Sequence, residues 1–294
     1  MNILNTQVYR IIVPKVIRKK IVNKRLRSSV LNYYSTLSEP LSDEIKKVLE
    51  YLKNRPVVMF PDYFQDEYIE DSVEVHRDKE LGLRYVLCDG KRLYFKKRWS
   101  EKRIQRAFNE LIKEQDSRCP HCYESSSFKF ESGDVLVDVG AAEGNFALSV
   151  AEKASRIILF ESNKEWLEPL RATFSPWKDK VVIVNKFVGD VTDSRSTTLD
   201  DYFKTGEKVS FLKVDIEGAE SRFLNGCKRI LREVHPLKAA ICTYHKPQDE
   251  QEFTLLLDQY GFETSHSDGF VLLNTDRKIK APFLRRGLVR AIKN

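Results

Sequence analysis

Five short apolar runs in the second half of the chain constrain its fold more than any other feature. They alternate with segments in which apolar residues recur at helical spacing. The runs are Val135–Val139, Arg156–Phe160, Val181–Val184, Phe211–Val214 and Lys238–Cys242. Strands that are apolar on both faces and alternate with helices are typical of a parallel sheet covered by helices on both sides. The sequence therefore predicts a doubly wound α/β domain over residues 131–276.

The end of this domain carries a different pattern. Glu263–His266 and Phe270–Asn274 flank an Asp268-Gly269 pair. Two short strand-like segments around such a turn indicate an antiparallel hairpin. We expect this hairpin to be appended to the parallel sheet, which is unusual for a plain dinucleotide-binding domain.

The first 130 residues predict smaller elements. Ser42 and Ser100 each precede a segment of helical spacing, as N-capping residues do. Arg84–Cys88 and Arg92–Lys96 flank Asp89-Gly90, which indicates a hairpin. We therefore expect a basic N-terminal segment over residues 1–35 and a small α+β region over residues 36–130.

The net charge of +7 is unevenly distributed. Residues 1–27 contain eight Lys/Arg and residues 277–294 contain seven, and neither stretch contains an acid. The body between them is therefore acidic, whereas a nucleic-acid-binding domain carries its basic face on the folded body. This distribution disfavours nucleic acid as a partner and predicts that residues 277–294 form a basic tail.

The sequence also bears on cellular location. No stretch approaches the roughly 18 to 20 apolar residues that a membrane-spanning helix needs, and the N-terminus lacks the pattern of a secretory signal. The five cysteines are odd in number and scattered. They therefore suit reduced thiols in the cytoplasm better than a disulfide framework.

A glycine-containing turn follows the first predicted strand. Asp138 ends the strand, and Gly140 and Gly144 allow a tight turn and the approach of a ligand to the backbone before a helix. Glu161 closes the next strand, where a carboxylate can bind both hydroxyls of a ribose. The middle glycine of a dinucleotide site is absent. An acid beside this turn would suit a sulfonium nucleoside with an amino-acid tail better than a pyrophosphate.

Further polar residues follow the later strands. Asp190 follows the third strand and could bind an exocyclic amine, and Asp215, Glu217 and Glu220 follow the fourth. His245 follows the fifth strand, and an imidazole placed there suits a general base because it titrates near neutrality. Because ligands bind beyond the carboxyl ends of parallel strands, we expect these groups to line one cleft.

A zinc site at Cys119-Pro-His-Cys122 is disfavoured, because no second pair of ligands is present elsewhere.

Several segments together resemble the FkbM family of methyltransferases. They are the Asp138–Asn145 turn, Thr198–Tyr202, Leu212–Glu220 and Tyr244–Asp249. The resemblance covers about residues 133–275, and its most specific part is Asp-x-Glu-Gly-x-Glu from Asp215 to Glu220. Pro120-His-Cys-Tyr123 is similar to a segment seen in related chains, which further weakens the zinc hypothesis.

The resemblance implies a Rossmann-like class I methyltransferase fold that uses S-adenosylmethionine (SAM). It further implies O-methylation of a hydroxyl on a sugar, a glycan or a related small molecule, as in polysaccharide biosynthesis. The expected cofactor-binding residues are Asp138, Gly140, Ala142, Gly144, Asn145, Glu161 and Asp190. The expected catalytic residues are His245, Asp215 and Glu217, and the expected substrate-binding residues are Glu220, His121 and Tyr123.

Several alternatives stay open. Asp215 and Glu217 could orient the acceptor or the methionyl amine, or hold a divalent cation, although no metal is predicted. A nicotinamide-dependent oxidoreductase is disfavoured by the glycine spacing, and a catalytically silent nucleoside-binding module retains the fold. The sequence specifies neither the acceptor nor the oligomeric state.

The basic ends suggest one further partner. Apolar residues lie among their positive charges: Ile12, Val16, Ile17, Ile21, Phe283, Leu284, Leu288, Val289 and Ile292. Such segments can associate weakly with an anionic membrane surface. We therefore expect weak peripheral binding at the inner membrane face, unless these segments pack on the folded body.

Overall fold

A computed structural model describes residues 14–294 of the protein, except residues 205 and 277. The chain divides into two compact units. The first contains Met1–Gln65 and Gly269–Arg285, and the second contains Asp66–Asp268 and Arg286–Asn294.

The first unit is built on two helices. Helix α1 spans Lys15–Ser35 and helix α2 spans Asp43–Asn54. The Ser42 hydroxyl accepts a hydrogen bond from the Ile45 amide (3.3 Å), which confirms the predicted N-cap. The two helices and the Gly269–Arg285 segment share one apolar core. Its buried members are Leu26, Val30, Tyr34, Val48, Tyr51, Leu52, Val57, Leu272 and Leu284.

The second unit begins with a small antiparallel sheet. Its strands are β1 (His76–Arg77), β2 (Arg84–Cys88) and β3 (Lys91–Phe95). Helix α3 spans Glu101–Glu114, and its N-cap Ser100 accepts a hydrogen bond from the Arg103 amide (3.3 Å). The hairpin and the helix predicted in this region are therefore present.

A seven-stranded sheet forms the centre of the second unit. Its strands are β4 (Val135–Val139), β5 (Arg156–Phe160), β6 (Val181–Val184), β9 (Phe211–Val214), β10 (Leu237–Cys242), β11 (Glu263–His266) and β12 (Leu288–Lys293). Their order is β11-β12-β10-β9-β4-β5-β6, and only β12 is antiparallel to the neighbour on either side. This is the predicted class I methyltransferase fold. Strands β7 (Phe187–Val188) and β8 (Ser196–Thr197) form a separate parallel pair.

Short helices connect the strands of the large sheet. They are α4 (Asn145–Val150), α5 (Leu167–Thr173), α6 (Leu199–Tyr202), α7 (Glu220–Asn225), α8 (Lys228–Glu233) and α9 (Asp249–Gln259). A buried apolar cluster extends from the sheet strands to α6, α7, α8 and α9. This packing fixes the carboxyl ends of β4, β5, β9 and β10 at one edge of the sheet.

The C-terminal strand pair differs from the prediction. The partner of β11 is β12 and not Phe270–Asn274, because Val271 forms only an isolated bridge to Arg285 and Leu272 belongs to the core of the first unit. The predicted basic tail at 277–294 is therefore wrong over its last residues. Leu288 and Val289 are fully buried in the sheet, where membrane contact is excluded.

The domain boundaries also change. Residues 36–65 pack with α1 and Gly269–Arg285, so the predicted boundaries at residues 35 and 276 each fall inside a compact unit. Residues 66–130 belong to the same unit as the large sheet. Sequence order did not indicate this arrangement, because the first unit combines the N-terminal part of the chain with Gly269–Arg285, a segment distant from it in sequence.

Within the part of the chain that the structure describes, no helix combines the length and apolar character that crossing a bilayer requires.

Candidate active site

Asp215 is the centre of a polar cluster at the carboxyl edge of the large sheet. It directly follows β9, and its Oδ2 lies 3.2 Å from His121 Nε2 and accepts a hydrogen bond from the Tyr123 hydroxyl (3.3 Å). The Tyr244 hydroxyl donates to Asp215 Oδ1 (3.5 Å). Three expected site residues, Asp215, His121 and Tyr123, therefore lie together, and Tyr244 joins them.

A buried ion pair supports this cluster from within the sheet. Asp138 on β4 and Lys213 on β9 are register partners, and Lys213 Nζ lies 2.9 Å from Asp138 Oδ1. The same ammonium donates to the Gly140 carbonyl oxygen (2.7 Å). Burial acts to lower the pKa of Lys213, but Asp138 and Asp215 outweigh it and hold that pKa above its usual value. Lys213 thus links the glycine turn to the Asp215 cluster.

Asp215 is negatively charged at any working pH. Burial acts to raise the pKa of Asp215, but the hydrogen bond from His121 and the positive charges of Lys213 and His245 hold it well below its usual range. A carboxylate with so low a pKa is a weak base. It is better suited to orienting a hydroxyl or attracting a cation.

His245 lies between several carboxylates. Its Nδ1 is 3.1 Å from Glu220 Oε1, and its Nε2 is 3.8 Å from Asp215 Oδ1 and 3.7 Å from Glu217 Oε2. Burial acts to lower the pKa of His245, but Glu217, Glu220 and Asp215 raise it to about 10. The imidazole is therefore protonated near neutrality, whereas a general base must be neutral. The predicted catalytic role of His245 stays a prediction. It requires that the imidazole first loses its proton.

The raised pKa of His245 predicts a pH dependence of stability. The folded protein holds this proton up to a pH of about 10, whereas the unfolded chain loses it near 6.5. The resulting stabilisation is complete below 6.5 and is lost as the pH rises to about 10. Its contribution to the slope of the unfolding free energy is at most about 1.4 kcal/mol per pH unit. Denaturant unfolding between pH 6.5 and 10 should give a shallower decline for His245→Gln than for the wild type, and equal slopes would contradict this assignment.

The loop before α7 holds Glu217 and Glu220 in different environments. Glu217 has a left-handed backbone (φ 56°), and 95% of its side chain is exposed. Glu220 is fully buried, and its Oε1 accepts hydrogen bonds from the Ile216 amide (3.0 Å) and the Gly218 amide (3.3 Å). These bonds and the contact with His245 show that Glu220 holds the loop and the imidazole. Its predicted substrate-binding role stays a prediction.

The two glycines of the turn have the left-handed backbone that the expected tight turn requires. Gly140 has φ +84°, and a Cβ there would overlap the Asp215 carbonyl oxygen. Gly144 has φ +78°, and a Cβ there would lie 2.8 Å from Phe174 Cε2. Both glycines are therefore required for packing between neighbouring segments.

Glu161 at the end of β5 contacts the same turn. Its Oε2 accepts a hydrogen bond from the Ala142 amide (2.8 Å), and its Oε1 accepts one from the Asn163 amide (2.6 Å). Ala142 has a left-handed backbone (φ 47°), and Asn145 begins α4 directly after the turn. The structure thus brings together the turn and the carboxylate that were expected to bind a nucleoside.

Asp190 differs from the other expected cofactor residues. It is exposed, and its Oδ1 lies 2.9 Å from Arg222 Nε on α7. That ion pair connects two surface segments. The predicted adenine contact stays a prediction.

Two acids missed by the sequence analysis lie near the cluster. Burial and the nearby Glu114 raise the pKa of Glu143, in the glycine turn, to about 8. Burial also raises the pKa of Glu114 at the end of α3, although His121 opposes this shift. Glu143 lies within the Asp138–Asn145 turn but was not singled out there, and Glu114 lies outside every segment of the resemblance. The buried Lys213 within an apolar strand was the available signal, because such a lysine requires a carboxylate partner.

Some of these side chains could hold a metal ion. Within the described residues, two groups have ligand atoms within 4.8 Å of one another: His121, Asp215 and Cys242, and Asp215, Glu220 and His245. Cys119 and Cys122 belong to neither group. Both groups contain Asp215, so a cation here would occupy the same cluster that the acceptor is expected to approach.

Comparisons with known proteins identify a family to which part of the chain is similar. Residues 176–264 match the family model described as the methyltransferase FkbM domain, a span that includes Asp215, Glu217 and His245 but not the glycine turn. No curated protein matches the chain.

Solved structures were compared as well. A methyltransferase FkbM from Methylobacillus flagellatus KT is 15% identical, with a TM-score of 0.46. The match covers 94% of this chain and 59% of that chain, so this chain spans less than two thirds of it. A putative methyltransferase from Streptococcus mutans in complex with SAH is 16% identical over 56% of this chain and 90% of that chain (TM-score 0.40). An rRNA methylase from Streptococcus thermophilus is 17% identical over 55% and 88%, respectively (TM-score 0.40). The match of residues 176–264 confirms the resemblance found in the sequence: this part of the chain is similar to the methyltransferase FkbM domain.

Proposed function

We propose that the protein uses SAM to methylate a hydroxyl of a sugar, a glycan or a related small molecule. The observation that carries this proposal is the convergence at one sheet edge of the glycine turn, Glu161 and the Asp215 cluster. The FkbM domain match supports the methyltransferase activity. The choice of a sugar hydroxyl rests on the family resemblance alone.

The residues at this edge fit the expected cofactor. Glu161 is a largely buried carboxylate next to the turn, which suits the two hydroxyls of a ribose. The Asp215 carboxylate stays ionised next to the turn, which suits a positively charged ligand. When bound, SAM supplies a methyl group that is already activated for transfer. The protein must then mainly position the acceptor and remove its proton.

The Asp215 cluster would perform these two tasks. Asp215 stays ionised and can accept a hydrogen bond from the acceptor hydroxyl. His245 can take the proton when its imidazole is neutral, and Glu220 holds its Nδ1 side so that Nε2 faces Asp215 and Glu217. His121 and Tyr123 hold the Asp215 carboxylate from the other side.

A divalent cation at Asp215 and Glu217 is the alternative for acidifying the hydroxyl. The structure brings the ligand atoms of Asp215, Glu220 and His245 within 4.8 Å of one another, so Glu220 and His245 would hold such a cation together with Asp215. Two carboxylates and an imidazole would suit Mn²⁺ better than Mg²⁺, because Mg²⁺ prefers oxygen ligands. The two mechanisms differ in their response to a chelator.

The proposed function is tested by a methyl-transfer screen. The purified chain is incubated with SAM and a panel of mono- and oligosaccharides, and S-adenosylhomocysteine is measured. We expect acceptor-dependent product with at least one saccharide and none when His245→Ala replaces the wild type. Product formed equally with and without acceptor, or only with non-carbohydrate acceptors such as RNA, would contradict the sugar assignment.

We also propose weak association of α1 with an anionic membrane surface. The helix carries seven Lys/Arg and no acid, and Ile17 and Val22 are 48% and 44% exposed. Ile12 lies outside the described residues. Co-sedimentation with anionic liposomes should fall at high salt, and it should fall in a variant with Lys19, Lys20 and Lys24 replaced by Gln. Equal pelleting of both proteins at low salt would dispose of this idea.

A further inference from the structure

Arg290 is a buried cation on β12, the strand that the sequence placed in a solvated tail. Only 8% of the residue is exposed. Its guanidinium donates to three consecutive carbonyl oxygens: Cys122 (2.7 Å), Tyr123 (3.1 Å) and Glu124 (3.2 Å). Because a buried guanidinium requires its donors to be satisfied, these bonds tie the Cys119–Glu124 segment to the sheet.

Gly287, one residue before β12, contacts the same segment. A Cβ at this position would overlap the Pro120 carbonyl oxygen. The segment therefore approaches the β12 backbone more closely than any side chain would allow. Gly287 also accepts a hydrogen bond through its carbonyl oxygen from the Thr243 amide (3.0 Å), directly after β10. Two independent features thus fix the position of the Cys119–Glu124 segment.

This segment carries two of the groups that hold Asp215. His121 Nε2 lies 3.2 Å from Asp215 Oδ2, and the Tyr123 hydroxyl lies 3.3 Å from the same oxygen. These distances are near the limit of a hydrogen bond, so a displacement of the segment by about 1 Å would break both contacts.

We propose that Arg290 is a positioning residue for methyl transfer, which holds His121 and Tyr123 against Asp215 through the Cys119–Glu124 segment. Arg290 itself contacts only the backbone of this segment. The expected effect of replacing Arg290 on turnover rests on the proposed function. The expected effect on His121 does not.

A matched control lies on the same strand. Lys293 also donates to backbone carbonyl oxygens, those of Leu231 (3.0 Å) and Arg232 (2.7 Å), but these belong to α8, away from Asp215. Lys293→Met therefore removes a comparable tie between β12 and the backbone without affecting the Cys119–Glu124 segment. Arg290→Lys keeps the positive charge. However, the lysine ammonium cannot donate to all three carbonyl oxygens in the way that the planar guanidinium does.

The primary readout is the titration of His121 by NMR, which needs neither cofactor nor acceptor. The chain has five histidines, so each imidazole can be assigned by substitution. Burial lowers the pKa of His121, but Asp215 and Glu114 raise it above its usual value. The titratable groups around it are Asp215, Glu114, Lys213, Cys242, Tyr123 and Tyr244.

We expect the pKa of His121 to fall in Arg290→Lys, because its contact with Asp215 is weakened, and to stay unchanged in Lys293→Met. With an active acceptor, kcat should fall about 10- to 100-fold in Arg290→Lys, while the KM for SAM stays within about twofold. Gly287→Ala should produce the same pattern and serves if Arg290→Lys does not fold. An unchanged His121 titration in the folded variants, or an equal change in Lys293→Met, would overturn the proposal. A changed titration in a protein without methyl transfer would contradict the proposed function and leave the positioning role intact.

Discussion

Replacing His245 with alanine should lower turnover by about 10²-fold or more and leave the affinity for SAM nearly unchanged. The imidazole lies at the Asp215 cluster, whereas the ribose is expected at Glu161 on a different strand. Its removal therefore affects proton transfer much more than cofactor binding. Initial rates of S-adenosylhomocysteine formation give turnover, and calorimetry gives the affinity.

His266 provides a matched control for this substitution. Its Nδ1 also lies near a glutamate, Glu250 (3.6 Å), but on β11, outside the Asp215 cluster. His266→Ala should retain full turnover. A comparable loss in both variants would indicate a general effect on folding and contradict the role of His245.

The pH profile separates the two mechanisms for removing the proton. If neutral His245 is the base, kcat/KM rises with pH toward its pKa of about 10, because the fraction of neutral imidazole rises. If a divalent cation acidifies the hydroxyl, EDTA abolishes turnover and added Mg²⁺ or Mn²⁺ restores it. A rate that responds to neither pH, EDTA nor His245→Ala places the base elsewhere.

Replacing Gly140 with valine should lower the free energy of unfolding by about 2 to 5 kcal/mol and abolish SAM binding. The new Cβ would overlap the Asp215 carbonyl oxygen, and valine is strained at φ +84°. The strand ends of β4 and β9 would separate, which displaces both the turn and Asp215. Denaturant unfolding and calorimetry measure the two effects.

A substitution at Gly133 separates the two causes of this loss, the backbone strain and the atomic overlap. It has a similar backbone (φ +87°), but nothing lies within 4 Å of a Cβ at that position. Gly133→Val therefore carries the backbone strain without the overlap and should retain SAM binding. Equal destabilisation of the two variants would show that the backbone conformation alone accounts for the effect at Gly140.

The sheet could be predicted from the sequence because its strands are nearly continuous apolar runs. Val135–Val139, Arg156–Phe160, Val181–Val184 and Phe211–Val214 each form a strand with these same limits. Since parallel strands end at one edge, the proximity of Asp215 and His245 also followed from the sequence.

Other parts of the site could not be predicted, because their sequence patterns are also typical of other structures. Arg290 lies among basic residues that are typical of a solvated tail, and its carbonyl partners carry no sequence signal. Glu220 has the spacing of a site residue, but only the fold shows its complete burial. The two glycines of the turn matched a ligand-binding pattern, and the structure assigns them to backbone and side-chain packing.

Calorimetric titration of SAM into the wild type, Glu161→Gln and Glu161→Ala is the most direct test of the account. Glu161→Gln keeps the size of the side chain and one of the two oxygens that accept bonds from the Ala142 and Asn163 amides, whereas Glu161→Ala removes both. We predict binding of one SAM per chain, weakened by about 1 to 3 kcal/mol in Glu161→Ala, and no binding of NADH under the same conditions. A folded wild-type protein that binds NADH and not SAM, or equal SAM affinity in all three proteins, would contradict the account.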